Sequence, residues 1–260
     1  MKINLLLFIL ILFSCSSKND FRSIGGVEFA ERSSEPFLHS SGDDLIISWT
    51  ENKYDTNYLY TAEYLKDSWD NKELITDGQD WFVNWADFPS IAVLSDKTIA
   101  VHWLQKIGNS GFAYQINIAL SSDNGQTWSN PKILHEDRSP VQHGFVSMTP
   151  SKEKLLTIIW LDGRTYGVRL GETKKATEAM QLRATTITSD GIKGKEVAID
   201  KRTCSCCQTS ITVTDKGTVI AAYRDRSEDE IRDISIARLE GNGWQEPFSL
   251  NDDGWEISGC

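Results

Sequence analysis

Beyond residue 30 the apolar residues fall at period two, in short runs separated by Gly, Asp, Ser and Lys, which predicts strands joined by turns. Four runs end in an aromatic residue and align: Leu45-Ile46-Ile47-Ser48-Trp49, Ile99-Ala100-Val101-His102-Trp103, Leu156-Thr157-Ile158-Ile159-Trp160 and Val219-Ile220-Ala221-Ala222-Tyr223. The aromatics recur after 54, 57 and 63 residues. A polar turn precedes each run, at residues 41–44, 95–97, 151–154 and 215–217. A further short strand precedes each turn, at residues 36–39, 89–93, 145–148 and 209–213. No segment keeps a sustained helical period.

The back half of each unit repeats less faithfully. Leu59-Tyr60-Thr61-Ala62-Glu63 leads to Ser68-Trp69 and Glu73-Leu74-Ile75, and Ile234-Ser235-Ile236-Ala237-Arg238 leads to Gly243-Trp244 and Phe248-Ser249. Four units of four strands therefore fill residues 36–250. Repeated units of this length predict an all-β chain, a β-propeller of four-stranded antiparallel blades, which limits exposed strand edges by radial arrangement. A large β-sandwich predicts neither the recurring aromatic nor the recurring turn. Residues 251–260 look like the start of a fifth unit, because Trp255-Glu256 matches the run-in Trp85-Ala86-Asp87. The expectation is a propeller incomplete at its C-terminal end, with an open side between the first and fourth units.

One turn is more specific. Ser121-Ser122-Asp123-Asn124-Gly125-Gln126-Thr127-Trp128 follows a period-two strand and precedes a Pro-interrupted one. Asp123 and Asn124 can bond their own backbone, Gly125 supplies a positive φ, and Trp128 can fold beneath the turn. Ser121, Asp123, Gly125, Thr127 and Trp128 fit Ser-x-Asp-x-Gly-x-Thr-Trp, so the octapeptide resembles the Asp box of the sialidase superfamily and other BNR-repeat proteins. In those families it is a structural turn on the outside of a propeller blade, and sialidase-like propellers have six blades.

The N-terminus differs from the rest. Lys2 precedes an apolar run over residues 3–13 that is too short to span a bilayer comfortably but suits a signal peptide. Leu12-Phe13-Ser14-Cys15 resembles a bacterial lipobox with Cys15 as the lipidated residue. The expected organisation is a signal peptide over residues 1–14, a polar tether over 15–30 and the propeller over 31–260, in an exported chain attached to a bacterial membrane by its lipid alone. The formal charge of −10 argues against nucleic-acid binding, which needs a basic footprint. Cys204, Cys206, Cys207 and Cys260 form an even set in an oxidising compartment, open to disulfide pairing or to a thiolate metal site. No motif asks for a cofactor.

Connectivity decides which loops can meet. The loops entering each first strand share a face with those between second and third strands, opposite the turn at Asp123. That face gathers Trp85, Asp87, His143, Asp162, Arg164, Arg224, Asp225 and Arg226, as a site for a polar ligand would. Aromatic rings stack on sugars, and Arg forks grip carboxylates. The sialidase resemblance implies three arginines on a substrate carboxylate, a Tyr nucleophile activated by Glu and an Asp acid/base. On that pattern Arg164, Arg224 and Arg226 supply arginines, and Asp55, Asp87 and Asp162 are the candidate catalytic acids. Phe21-Arg22-Ser23-Ile24 is only a loose echo of the family's first arginine motif, and the Tyr belongs to a late blade. The implied ligand is a glycan or other acidic carbohydrate, bound or hydrolysed. The alternative is a non-catalytic propeller serving as a protein-interaction platform on the cell envelope.

Overall fold

The computed structural model describes residues 26–42, 44–70, 72–108, 111–165, 179–241 and 243–257. Cys15, Cys260 and the signal segment lie outside them. Among the described residues there are strands and turns and no helix.

Strand follows strand in four antiparallel sheets. The first contains β1 (Ser33–Ser41), β2 (Asp44–Lys53) and β3 (Thr56–Leu65). Its fourth strand comes in two pieces, β4 (Ser68–Trp69) and β5 (Glu73–Gly78), both paired with β3. The second contains β6 (Ser90–Val93), β7 (Ile99–Lys106), β8 (Tyr114–Ser121) and β9 (Lys132–Ile133). The third contains β10 (His143–Lys152), β11 (Leu155–Asp162), β12 (Met180–Thr188) and β13 (Val197–Thr203). The fourth contains β14 (Ser210–Val213), β15 (Val219–Arg224) and β16 (Ile234–Glu240), with β17 (Gly243–Trp244) and β18 (Phe248–Ser249) both on β16. First strands pack side by side in the series β1, β6, β10, β14. The arrangement is propeller-like.

Each apolar core is a seam between neighbouring sheets. Ile46 and Leu59 of the first sheet meet Val101 and Trp103 of the second. Ala100, Leu104 and Ile116 on the other face of the second meet Leu156, Ile158 and Trp160 of the third. Ile159, Leu161 and Leu182 of the third meet Ala221 and Tyr223 of the fourth. A strand covered on both faces needs apolar residues at successive positions, and this explains why β7 is buried continuously from Ile99 to Leu104. Each large apolar side chain sealed in these seams contributes about 1.5–3 kcal/mol.

Trp49, Trp103, Trp160 and Tyr223 lie buried near the ends of β2, β7, β11 and β15. Two use the same polar device. Trp49 Nε1 donates to Glu51 Oε1 at 3.2 Å, and Trp160 Nε1 donates to Asp162 Oδ2 at 2.9 Å. In both, the carboxylate two residues on satisfies the indole N–H that burial would orphan. The end of the expected tether docks here too: Phe29 meets Trp49 edge-on at 5.1 Å, and Ala30 N donates to Glu51 Oε1.

The Ser121–Trp128 turn closes on itself. Asp123 accepts from the Thr127 hydroxyl at 2.6 Å, from Thr127 N at 2.9 Å and from the Ser121 hydroxyl at 2.7 Å, which hold its carboxyl down at about 2. Asn124 and Gly125 take the positive φ the turn requires, and Trp128 donates to Gly125 O while packing against the first seam. The following strand is interrupted at its proline, as expected. Lys132 and Ile133 form its regular part, with Ser129 N and Leu134 N bonding Leu120 O and Ile116 O on either side and Pro131, which has no N–H, interrupting the ladder.

In β10 a bulge follows Gly144, and Phe145 adopts a φ of 53°. The bulge turns the Phe145 N–H toward Asp87, which closes over Gly144: a Cβ there would lie 2.1 Å from Asp87 Oδ2 and 2.7 Å from Tyr114 Cε2. Gly144→Ala is therefore expected to cost about 1–3 kcal/mol in a denaturant titration, as overpacking at a buried site does.

Candidate functional site

In each sheet the first-to-second and third-to-fourth turns lie at one end, as the pairing of Ile99 with Ser121 requires. The remaining loops gather at the opposite end. There two clefts adjoin, sharing Trp85, Ala86 and Cys206. One, of about 460 Å³, is lined by Phe82, Asn84, Asp87, Phe112, Tyr114 and Gln142 among others. The second, of about 630 Å³, runs past Cys207, Gln208, Tyr223 and Arg224.

A tight turn presents Trp85 between them. Asn84 and Asp87 exchange backbone hydrogen bonds at 3.0 and 3.3 Å, and Asn84 Oδ1 accepts from Ala86 N. Gln208 Nε2 holds Ala86 O from the fourth sheet at 2.8 Å. Thus Trp85 stands at the tip of a braced turn, 81% exposed, with Phe112 70% exposed across the smaller cleft.

Asp87 lies beneath, with 2% of its surface exposed. Tyr114 Oη donates to Oδ2 at 3.0 Å, and Phe145 N donates to Oδ1 at 2.7 Å. Burial outweighs both bonds and pushes its carboxyl up to about 7, the range in which a proton can be given or taken at neutral pH.

Asp162 is buried as fully and goes the other way. Burial opposes its charge, but Arg164 Nε and Nη2 at 2.7 and 2.8 Å, with His143 and Trp160, hold the carboxyl below its ordinary range. Arg164 Nη2 also reaches Glu196 Oε1 at 2.6 Å, which Arg183 Nε meets at 2.8 Å. Beside them His143 stacks flat on His135 with centroids 3.7 Å apart. His135 Nδ1 donates to Asp137 O and Nε2 accepts from Ile116 N, a pattern for the neutral ring; burial and His143 push it down to about 3. Asp137, His143 and Asp162 bring their ligand atoms within 4.8 Å of one another. Arg164 already covers both oxygens of Asp162, so a cation there would face a fixed guanidinium. The group is a hydrogen-bonded brace.

The remaining residues divide as well. Arg224 lines the larger cleft, its guanidinium 4.5 Å over the Trp255 ring and its Nη1 donating to Arg232 O. Arg226 turns inward onto Glu230 at 2.8 Å. Asp225 is half-buried, bonded by Arg226 N and Ser235 Oγ, and burial with nearby Asp200 raises its carboxyl. Asp55 is exposed at the β2–β3 turn, apart from the clefts. Cys204 Sγ lies 3.9 Å from Cys206 Sγ and 3.6 Å from Cys207 Sγ, beyond the roughly 2.05 Å of a disulfide bond.

So the structure places Trp85, Asp87 and Arg224 on the clefts, gathers His143, Asp162 and Arg164 in the brace behind, and commits Arg226 elsewhere. Phe112, Tyr114 and Glu196 were not singled out from the sequence. Tyr114 opens the period-two strand before the Ser121 turn, a pattern that carries no site signal, and Phe112 and Glu196 carry no local signal.

No family model matches the chain, and no curated protein matches it in sequence. Solved structures do match in fold. A protein of unknown function from Dyadobacter fermentans superposes with a TM-score of 0.56 at 15% identity, covering 88% of this chain and 72% of that one. The α-L-arabinanase of Penicillium chrysogenum, solved with arabinobiose, gives 0.52 at 14% identity, over 88% and 69%. The BP39L lectin of Burkholderia pseudomallei gives 0.53 at 16% identity, over 83% and 55%. At these identities the likeness is one of fold: an all-β, propeller-like succession of four-stranded antiparallel sheets.

The Asp87 carboxyl makes stability depend on pH. The folded protein holds this proton more tightly than the unfolded chain, whose carboxyl lies near 3.8. The contribution is therefore full below about pH 4 and is lost as pH rises through about 7, by at most about 4 kcal/mol. Asp87→Asn should flatten that part of the stability profile, measured by chemical denaturation from pH 4 to 8.

Proposed function

We propose that the chain is an exported, lipid-anchored, sialidase-like propeller protein of the bacterial envelope that binds glycans in the Trp85 clefts. The observation that carries this reading is the pair of exposed aromatics, Trp85 and Phe112, flanking a cleft whose floor offers Asn84, Asp87, Tyr114 and Gln142. Flat apolar faces above a few convergent polar groups suit a sugar ring, which has an apolar face and a polar rim. The carbohydrate-acting neighbours of similar fold support the same class of ligand. The Ser121–Trp128 turn supports the sialidase-like, six-bladed form of the fold.

Binding is better supported than hydrolysis. Glycosidases of the common type need two carboxyl groups facing the scissile bond. Of Asp55, Asp87 and Asp162, Asp87 alone lines a cleft; Asp55 is exposed elsewhere and Asp162 is spent on Arg164. Nor do the candidate arginines converge as a sialic-acid site demands. Arg224 alone faces the clefts, and it is the grip available to an acidic sugar.

A glycan array on the full-length protein tests the reading. Trp85→Ala should weaken the best ligand by roughly tenfold, equivalent to about 1.4 kcal/mol, with an unchanged melting temperature. Arg164→Lys should leave binding intact and lower stability, because Lys cannot fork across Asp162 and Glu196. Failure of the folded protein to bind any glycan would transfer the clefts to the interaction-platform reading. For the anchor, Cys15→Ser should abolish incorporation of labelled palmitate in cells and release the protein from the membrane fraction. Continued labelling would rule the lipobox out.

A further inference from the structure

We propose that Cys204, Cys206 and Cys207 form a three-thiolate site that binds a soft monovalent metal ion, Cu(I), beside the larger cleft. This stands apart from glycan binding and uses different residues.

The loop carrying the three cysteines is held from several sides. Thr203 Oγ1 donates to Met180 O at 3.1 Å, and Cys204 N donates to Arg224 O at 3.1 Å. Gln142 Nε2, just ahead of β10, reaches Ser205 O at 3.3 Å, and the loop's own Gln208 Nε2 reaches out to Ala86 O at 2.8 Å. A loop braced in this way brings all three sulfurs within 4.8 Å of one another without further ordering. Cys204 is fully buried while Cys206 is exposed and Cys207 half-buried, so the cluster opens to solvent on one side. That is a route of entry for an ion.

Charge points to the same cluster. Glu230 is shared by three guanidiniums: Arg226 at 2.8 Å, Arg232 at 2.7 Å and Arg202 at 3.5 Å. Arg232 is 3% exposed, and its Nη1 donates to Cys204 Sγ at 3.4 Å. Arg224 lines the cleft shared by Cys206 and Cys207. A cationic neighbourhood of this kind matches the charge of an anionic metal–thiolate complex. Three thiolates around one Cu(I) leave two negative charges, facing Arg232 and Arg224.

The donor set also selects the metal. Thiolates prefer soft ions, Cu(I) and Zn(II) among them. Structural Zn(II) takes four ligands in a tetrahedron, and among the described residues no His or carboxylate joins the three sulfurs. Cu(I) is content with three.

The experiment is a Cu(I) titration of the reduced full-length protein under anaerobic conditions, in competition with bicinchoninate. One copper per chain is expected, with thiolate-to-copper absorption in the near ultraviolet. Cys204→Ser, Cys206→Ser and Cys207→Ser should each weaken binding by roughly 100-fold or more, beyond the 10–100-fold typical of losing a supporting partner. Cys260→Ser should leave the stoichiometry at one. X-ray absorption on the copper-loaded wild-type protein decides even where a variant fails to fold: three sulfur neighbours are expected, and a nitrogen or oxygen shell overturns the site. No copper uptake by the reduced protein also overturns it. Tighter retention of Zn(II) than of Cu(I) overturns the metal assignment.

Discussion

A sheet that is apolar on both faces must be covered on both. That requirement governs this molecule. Ala100 and Leu104 of β7 face the third sheet while Val101 and Trp103 of the same strand face the first, so neither neighbour can be removed without exposing a full seam. The strands are thereby left almost no room for polar chemistry, which is displaced to the loops. The end of the sheets away from the Ser121–Trp128 turn holds most of the carboxylates, guanidiniums and thiols discussed above. Some polar groups at the seams come with partners, as Glu51 and Asp162 do for the indoles of Trp49 and Trp160, while Ser48 Oγ and His102 Nε2 lie buried without a hydrogen bond.

Two buried acids show how strongly the partner decides the outcome. Asp87 accepts two hydrogen bonds from neutral donors and its proton is retained to near neutrality. Asp162, no more exposed, receives a guanidinium fork and stays charged. A neutral donor returns part of what the carboxylate loses on leaving water; an arginine returns more, and adds direction. A protonated and a charged buried acid can therefore stand close together on one face.

Much of the fold was legible because it is written in local periodicity. The aromatic that closes each second strand must be buried, so Trp49, Trp103, Trp160 and Tyr223 could be aligned before any coordinates. The turn from Ser121 to Trp128 was legible for a similar reason, all its bonds lying within eight residues. The loops of the candidate site were legible too, since strand order alone fixes which loops share an end. Side-chain direction was not. Arg164 turns to Glu196 and Asp87 to Phe145 and Tyr114, partners that stand some 27 to 58 residues away in other strands and loops. Such pairings come from tertiary packing, to which neither period nor motif refers.

The serial order of strands carries a consequence for how the chain reaches this state. Within each sheet the strands pair in chain order, β5 and β18 each skipping only a two-residue strand to reach β3 and β16, so a sheet can assemble by closing local loops, whose entropic cost is small. The seams, and the loop contacts beside them, join distant parts of the chain. Contacts of short sequence separation favour fast folding, and a corner that satisfies its own polar groups, as residues 121–128 do, can form before any neighbour arrives. The slow step then falls on docking one finished sheet against the next. A half-assembled molecule would accordingly hold well-formed hairpins with bare apolar faces, and those faces, more than any unpaired strand edge, are what a chaperone would meet.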